Sequence, residues 1–184
     1  MDSYQEIRVL PDPEFKESIL MAALFAKLHR ALAGRGKGDI GVCFPEYKQS
    51  PGSIIRLHGE QAALEELEAT GWRAGLNDYC NASFVLPVPV IKGWRKVSRV
   101  QVKSSAERML RRSVRKGWIT EEEAHHRLST MQDQYSKLPF IQMKSRSNGQ
   151  AFRLFIDHGE LQQQQSSGVF SSYGLSDGAS IPWF

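Results

Sequence analysis

The chain has 184 residues, a formal net charge of +4 and a hydrophobic fraction of 41%. That suffices for one domain or two small ones with real cores, and it contains no apolar run long enough to span a membrane. The opening MDSYQEIRVL lacks the basic start and apolar stretch of a secretory signal. Cys43 and Cys80 have no CxxC spacing and read as ordinary thiols in a reducing compartment, so the expected location is cytoplasmic.

Tyr4–Leu10 alternates as a strand, with Ile7 and Val9 on one face. Asp12-Pro13 reads as a helix start, Asp as N-cap and Pro at the first helical position. The helix then runs through FKESILMAALFAKLHRALA to about Gly34. Residues 40–44 and Ile54–His58 follow as strands, and Gly59–Thr70 as a short helix with Leu64 and Leu67 inward. Phe84–Val90 is extended, although Pro87 and Pro89 confine it to an edge or a partial strand. This β-α-β-β-α-β order predicts a ferredoxin-like domain over residues 1–93. Its third strand, SIIRLHG, lacks the aromatics with which RNA recognition modules stack bases, so any RNA binding falls to the second half.

Residues 94–184 predict a smaller α+β domain, making the expected fold class α+β. Val97–Lys103 alternates as a strand with Arg99 and Gln101 on one face. A helix capped by Ser104 or Ser105 runs to about Lys116. Thr120 and Glu123 have the spacing of a capping box for a helix to about Gln134. Phe140–Arg146 and Ala151–Asp157 flank Asn148-Gly149, a hairpin signal, and Val169–Tyr173 reads as a last strand.

The charge is unevenly placed. Residues 91–118 hold ten basic side chains and one acidic one, +9 in a chain of +4, so the remainder sums to 4 − 9 = −5. On the predicted helix, Arg108, Arg111, Arg112 and Arg115 fall within an arc of about 100°, with Leu110 and Val114 opposite. Such a guanidinium ridge with an apolar back is the footprint of a polyanion-binding surface, and arginine forks onto phosphates and guanine edges. A solvated basic face, or a basic helix for an acidic membrane or partner, accounts for the same spacing.

Signals for chemistry are sparser. His29 lies late in the first helix among Phe25, Leu28 and Leu32, where a lone histidine is more often structural. His125 and His126 follow EEEA without metal-ligand spacing, and His58 and His158 have no motif around them. Gly34-Arg35-Gly36-Lys37-Gly38 leaves a helix rather than entering one, so it reads as a helix stop, not a phosphate loop. With no metal or cofactor motif, a nuclease built on this chain would work without metal, by attack of an RNA 2′-hydroxyl on the adjacent phosphorus. That reaction needs an imidazole and positioned hydroxyls, for which His29, Ser145, Ser147 and Tyr173 are the available set.

The segments DSYQEIRVLPDPEF, LFAKLHRAL, GVCFPEY, VSRVQVKS, ERMLRRSVRK, LPFIQMKSRSNGQAFRLFIDHG, FSSYGLS and the terminal PWF occur in the order seen in one family. Over essentially its full length the chain resembles the subtype I-F CRISPR-associated endoribonucleases that cut precursor CRISPR RNA within its repeats. The resemblance implies metal-independent, cofactor-free cleavage at the base of a stem-loop, giving 2′,3′-cyclic phosphate and 5′-hydroxyl ends. It implies His29 as the proton-transfer group, Ser145 as the serine that positions the hydroxyl with Ser147 in support, and Tyr173 as the residue orienting the histidine. Arg99 and Gln101 would read bases at the foot of the stem and Phe152 would stack on the pair beside the cut. Lys103, Arg108, Arg111, Arg112, Arg115 and Lys116 would hold the stem, although Lys116 stands where relatives can carry an arginine. The implied partners are the repeat stem-loop, as precursor and as mature guide RNA, and other subunits of a type I-F surveillance complex, with no membrane. A stem-loop-binding subunit without chemistry is the alternative.

Overall fold

A computed structural model of the chain describes residues 1–100, 105–145 and 148–184, with the side chains of 105–109 and 130–136 outside the description. The fold is α+β. Its first half runs β1 (Ser3–Val9), α1 (Glu17–Arg35), β2 (Gly41–Cys43), β3 (Ile54–Gly59), α2 (Gln61–Ala69), β4 (Cys80–Ala82) and β5 (Leu86–Pro87). β1 lies at the centre, antiparallel to β3 on one side and to β4 and β5 on the other, with β2 outside β3. Alternation in β1 puts Ile7 opposite Ile55 and Gln5 opposite Leu57. Ile7, Val9, Ile55 and Leu57 share one buried core with Leu24, Phe25 and Leu28 of α1 and Leu64 and Leu67 of α2. These α1 positions recur at helical spacing, which is why that helix lies on the sheet.

Two boundaries differ from the sequence expectation. Asp12 does cap, but it closes its own turn: its carboxylate accepts from the N–H groups of Glu14 and Phe15 at 2.8 and 2.9 Å. The helix starts later, at Glu17, preceded by an extended Lys16. The fourth strand of the sheet is Cys80–Ala82, and only Leu86–Pro87 of the Phe84–Val90 run pairs, lower down β1. Between them the Ser83 hydroxyl accepts from the Glu6 N–H at 3.0 Å. Phe84 and Val90 point to solvent, 89% and 95% exposed.

The second half contributes β6 (Gly93–Arg95), β7 (Ser98–Val100), α3 (Ser105–Arg115), α4 (Glu121–Ser136), β8 (Phe140–Lys144), β9 (Ala151–Asp157), β10 (Val169–Phe170), β11 (Ser176–Asp177) and β12 (Ile181–Trp183). β9 is the middle of a three-stranded antiparallel sheet between β7 and β8, while β6 pairs with β12 and β10 with β11. The β8–β9 hairpin forms as the Asn-Gly signal predicts. The Ser145 N–H donates to the Gln150 carbonyl at 2.8 Å, and Asn148 Oδ1 accepts from the Gln150 N–H at 3.1 Å. The capping box also forms, Thr120 N–H to Glu123 Oε2 at 3.0 Å and Glu123 N–H to Thr120 Oγ1 at 3.1 Å.

The remaining expectations are met in part. Of the expected strand Val97–Lys103, Ser98–Val100 forms as a strand, and residues 101–103 lie outside the described residues, as does the candidate cap Ser104. Tyr173 lies past the end of β10, in a turn closed by Gly174 N–H to Ser171 O at 2.8 Å and not in a strand. The apolar back of α3 packs on α4, where Leu110 and Val114 share a groove with Ala124 and Leu128.

The buried core does not stop at residue 93: Val97, Ile141, Met143, Leu154 and Ile156 belong to the same cluster as Leu24 and Phe25. The sheet face turned away from α1 is covered by the chain's own last residue. The Phe184 ring lies 4.0 Å from the Arg56 guanidinium carbon, 4.9 Å from the Tyr4 ring and 5.9 Å from that of His58. Arg56 in turn donates to Glu6 from Nε at 2.8 Å. Cys43, paired with Arg56 across β2 and β3, lies buried on this same face, its Sγ 3.4 Å from His58 Nε2, and burial pushes its thiol up to about 12, which leaves it no thiolate to react.

His58 and His158 are both buried, and burial, with Arg56 or Arg95 nearby, holds each imidazole down to about 3. The unfolded chain takes up these protons near pH 6.5 and the folded chain only near pH 3. The stabilisation from keeping them neutral is therefore complete above pH 6.5 and is lost as pH falls towards 3, at about 1.4 kcal/mol per pH unit for each histidine. Urea titrations at pH 7, 6, 5 and 4 test this. In His158→Gln the slope of stability against pH between 6 and 4 should fall by about 1.4 kcal/mol per unit, and an unchanged slope would mean that the fold accommodates a charged His158.

Candidate functional site

Leu28 and Leu32 are buried in the core, and His29, next to Leu28, emerges half-buried at its edge. The chain that meets it is the turn Ser171–Gly174. The Tyr173 ring lies parallel to the imidazole, centroids 3.9 Å apart and planes within 5°. Tyr173 also lies nearly parallel to Phe25, at 6.1 Å, so the stack is anchored in the core. The Ser172 carbonyl lies 2.9 Å from His29 Nδ1. A carbonyl oxygen can only accept, so Nδ1 carries the hydrogen and, in the neutral ring, Nε2 carries the lone pair. The geometry thus selects one tautomer with its basic nitrogen turned away from the turn.

Gly174 makes this turn possible. It adopts φ +69°, and a Cβ there would lie 2.3 Å from Val42 Cγ2 and 3.2 Å from Leu32 Cδ1. Its carbonyl accepts from the Val42 N–H at 2.8 Å. Only glycine lets the turn lie this close to β2 and α1.

Arg99 extends the cluster. Exposed on β7, it holds its guanidinium carbon 5.4 Å from the centre of the Tyr173 ring and 5.6 Å from that of Phe152. Phe152 stands on β9 opposite the buried Met143. The fold therefore joins four of the sequence candidates, His29, Tyr173, Arg99 and Phe152, in one run of ring and cation contacts, although they come from four separate elements. Ser145 is half-buried at the foot of the β8–β9 turn, two residues beyond Met143. Ser147, Gln101 and Lys103 lie outside the described residues, as does the side chain of Arg108.

On α3, Arg111, Arg112 and Arg115 are exposed, as is Lys116 just beyond it. Among the described residues neither Arg112 nor Arg115 has a carboxylate partner, whereas the basic loop after α1 is already neutralised. Arg35 bonds Asp39 at 2.7 Å and Glu66 at 3.0 Å, and Lys37 bonds Glu66 at 2.8 Å. That loop and Ser171–Ser172 line a hollow of about 410 Å³. Two contributors escaped sequence reasoning, Ser172, which acts through its main chain, and Gly174. The small-residue run Ser-Ser-Tyr-Gly was the available sign, being turn chemistry rather than strand chemistry.

Gly174→Ala should cost about 1–3 kcal/mol through strain at positive φ and contact with Val42. It should also replace the single Nδ1–H form of His29 with a tautomer mixture. Urea denaturation reads the first effect and ¹⁵N spectra of the imidazole the second.

The family model described as CRISPR-associated protein (Cas_Csy4) matches residues 4–184. A CRISPR-associated endonuclease Cas6/Csy4 from Escherichia coli (strain UTI89 / UPEC) is 62% identical over 184 residues, the full length of both chains. A protein of the same name from Pseudomonas aeruginosa (strain UCBPP-PA14) is 44% identical over 187 residues, again covering both chains completely. None of the helices among the described residues is long and apolar enough to cross a membrane. With a match of this extent, and with the histidine, tyrosine and arginine drawn together as described, the chain belongs to the Csy4 family of CRISPR-associated proteins.

Proposed function

We propose that this protein is a sequence- and structure-specific endoribonuclease that cuts CRISPR repeat RNA at the base of a stem-loop and keeps the stem-loop of the product. The observation that carries this reading is the fixed imidazole: Tyr173 backs its face, the Ser172 carbonyl holds Nδ1, and Arg99 and Phe152 stand beside the pair. The names of the two relatives, both CRISPR-associated endonucleases, support it.

In this mechanism the substrate's 2′-hydroxyl, positioned by Ser145 with Ser147 in support, gives its proton to His29 Nε2 as the oxygen closes on the adjacent phosphorus. The new 2′-O–P bond forms as the P–O5′ bond breaks, and the departing 5′-oxygen takes up a proton from water. The products are a 2′,3′-cyclic phosphate and a 5′-hydroxyl. The reacting oxygen comes from the substrate itself, so correct orientation lowers the barrier by removing the entropy of bringing reactants together. No metal ion has a part in this scheme.

Recognition is assigned to the second half. Phe152 stacks on the base pair beside the cut, and Arg99 and Gln101 read base edges there. Lys103, Arg108, Arg111, Arg112, Arg115 and Lys116 line the stem. The deep groove of A-form RNA closes to side chains along its length, but a short hairpin is open at its ends, where α3 can enter. We read residues 1–93 as the ferredoxin-like unit that carries the histidine and 94–184 as the RNA-binding unit. The strand order β2-β3-β1-β4, with a helix after β1 and after β3, supports the first half of that division. The protein would act in the cytoplasm and remain with its product in a type I-F complex.

His29→Ala should abolish cutting of the repeat hairpin while leaving its affinity within a few-fold of wild type. A 2′-deoxy nucleotide just 5′ of the scissile phosphate should block the reaction and EDTA should not, with product ends read on denaturing gels. Cleavage of the deoxy substrate would refute 2′-hydroxyl attack, and binding without cleavage in the wild type would leave a non-catalytic stem-loop subunit.

Arginines on α3 and β7 should respond differently. Arg112→Ala or Arg115→Ala should weaken all hairpins alike and flatten the log–log salt dependence of binding by about one unit. Arg99→Ala should cost about 1–3 kcal/mol and relax the preference at one base. Affinities measured against salt and against single-base variants separate the two.

A further inference from the structure

Trp118, like Phe84, is a large aromatic of the described residues that neither the core nor the proposed active site uses. Trp118 is 70% exposed, whereas a tryptophan normally hides most of its large surface. Its backbone is nonetheless fixed. Gly117, at φ +72°, ends α3 with its N–H on the Val114 carbonyl at 2.9 Å, and the Trp118 N–H donates to the Ser113 carbonyl at 3.0 Å. This double bond pattern locks the residue after the glycine to the last turn of the helix. The indole is therefore held in water at the tip of the α3–α4 hairpin, and Lys116 Nζ lies 4.5 Å from the ring centre.

The neighbours decide what such a ring is for. Arg112, Arg115 and Lys116 occupy the last turn of α3 and its end, all exposed. An apolar protein partner covering Trp118 would have to strip water from these cations without repaying it. A nucleotide satisfies both, because its base offers a π-face to the indole and its phosphate a partner for the ammonium. Paired bases within a stem are already stacked on each other, so the base must be unpaired. α3 is about 16 Å long at 1.5 Å per residue, the rise of several base pairs, so on the short stem of the proposed function its far end would lie towards the loop.

We propose that Trp118 is a stacking platform for an unpaired base in the loop that closes the RNA stem, with Lys116 holding the adjacent phosphate. The proposal rests on the RNA-binding reading above and adds a second place where bases are sensed, remote from the cut.

The test uses the full chain and a repeat hairpin made uncleavable by a 2′-deoxy nucleotide at the cut, with either its natural loop or a loop of abasic residues. On the natural loop Trp118→Ala should weaken binding about 5- to 140-fold, the equivalent of 1–3 kcal/mol at 1.4 kcal/mol per decade. Trp118→Phe should keep most of the affinity. On the abasic loop wild type and Trp118→Ala should bind alike. An unchanged thermal midpoint confirms that the exposed substitution leaves the fold intact. Natural-loop binding by Trp118→Ala equal to wild type would overturn the proposal and leave the ring to a protein partner. An equal loss on both loops would overturn it too. If Arg115→Ala weakens hairpin binding while Trp118→Ala does not, the stacking platform fails and the RNA reading stands. If wild type does not bind the hairpin at all, both fail.

Discussion

The parallel contact between His29 and Tyr173 depends on how closely the turn Ser171–Gly174 can lie against β2 and α1. With Gly174 pressed on Val42 and Leu32, and its carbonyl bonded to the Val42 N–H, the turn is pinned from below. From that fixed base the next two residues back present a carbonyl and a ring to the histidine. One supplies direction by holding Nδ1, the other a flat wall. Neither costs the protein a charged group, and among the described residues the imidazole is oriented without a carboxylate partner.

The sheet shows what has been given up in exchange. A four-stranded antiparallel sheet with an open face is a natural platform for stacking bases. Here that face carries Arg56, Glu6, Tyr4 and His58, and Phe184 lies over them with its ring against the guanidinium. The platform is filled by the chain itself. On the other half, along α3, Arg112 and Arg115 are exposed and stand without acidic partners among the described residues, which is the surface that the proposed function gives to RNA. Arg35 and Lys37, by contrast, are consumed by Asp39 and Glu66.

Local chemistry was legible in the sequence wherever a few adjacent residues decide the outcome. The Thr120–Glu123 box and the Asn148-Gly149 turn are both present as read, because each is a contest between near neighbours. Asp12 misled for the same reason, since its carboxylate satisfies the nearest N–H groups and the helix waits another turn. Phe84–Val90, read as an edge or partial strand because its prolines withhold donors, pairs only at Leu86–Pro87, and Cys80–Ala82 supplies the rest of the pairing on that side of β1. Long-range pairing, such as residues 93–95 with 181–183, leaves no local trace. Of the candidate site, spacing exposed only the basic helix. His29 became more than a core histidine through the resemblance of whole segments. The Ser172 carbonyl had no side-chain signature to be read at all.

The position of Arg99, in reach of both Phe152 and Tyr173, bears on fidelity. Under the proposed function one guanidinium touches the ring next to the substrate's terminal pair and the ring that steadies the imidazole. A base that draws it off line disturbs both at once. Discrimination on such a scaffold needs no separate checkpoint, because a wrong substrate is gripped less well and is also met by a poorly aimed proton acceptor.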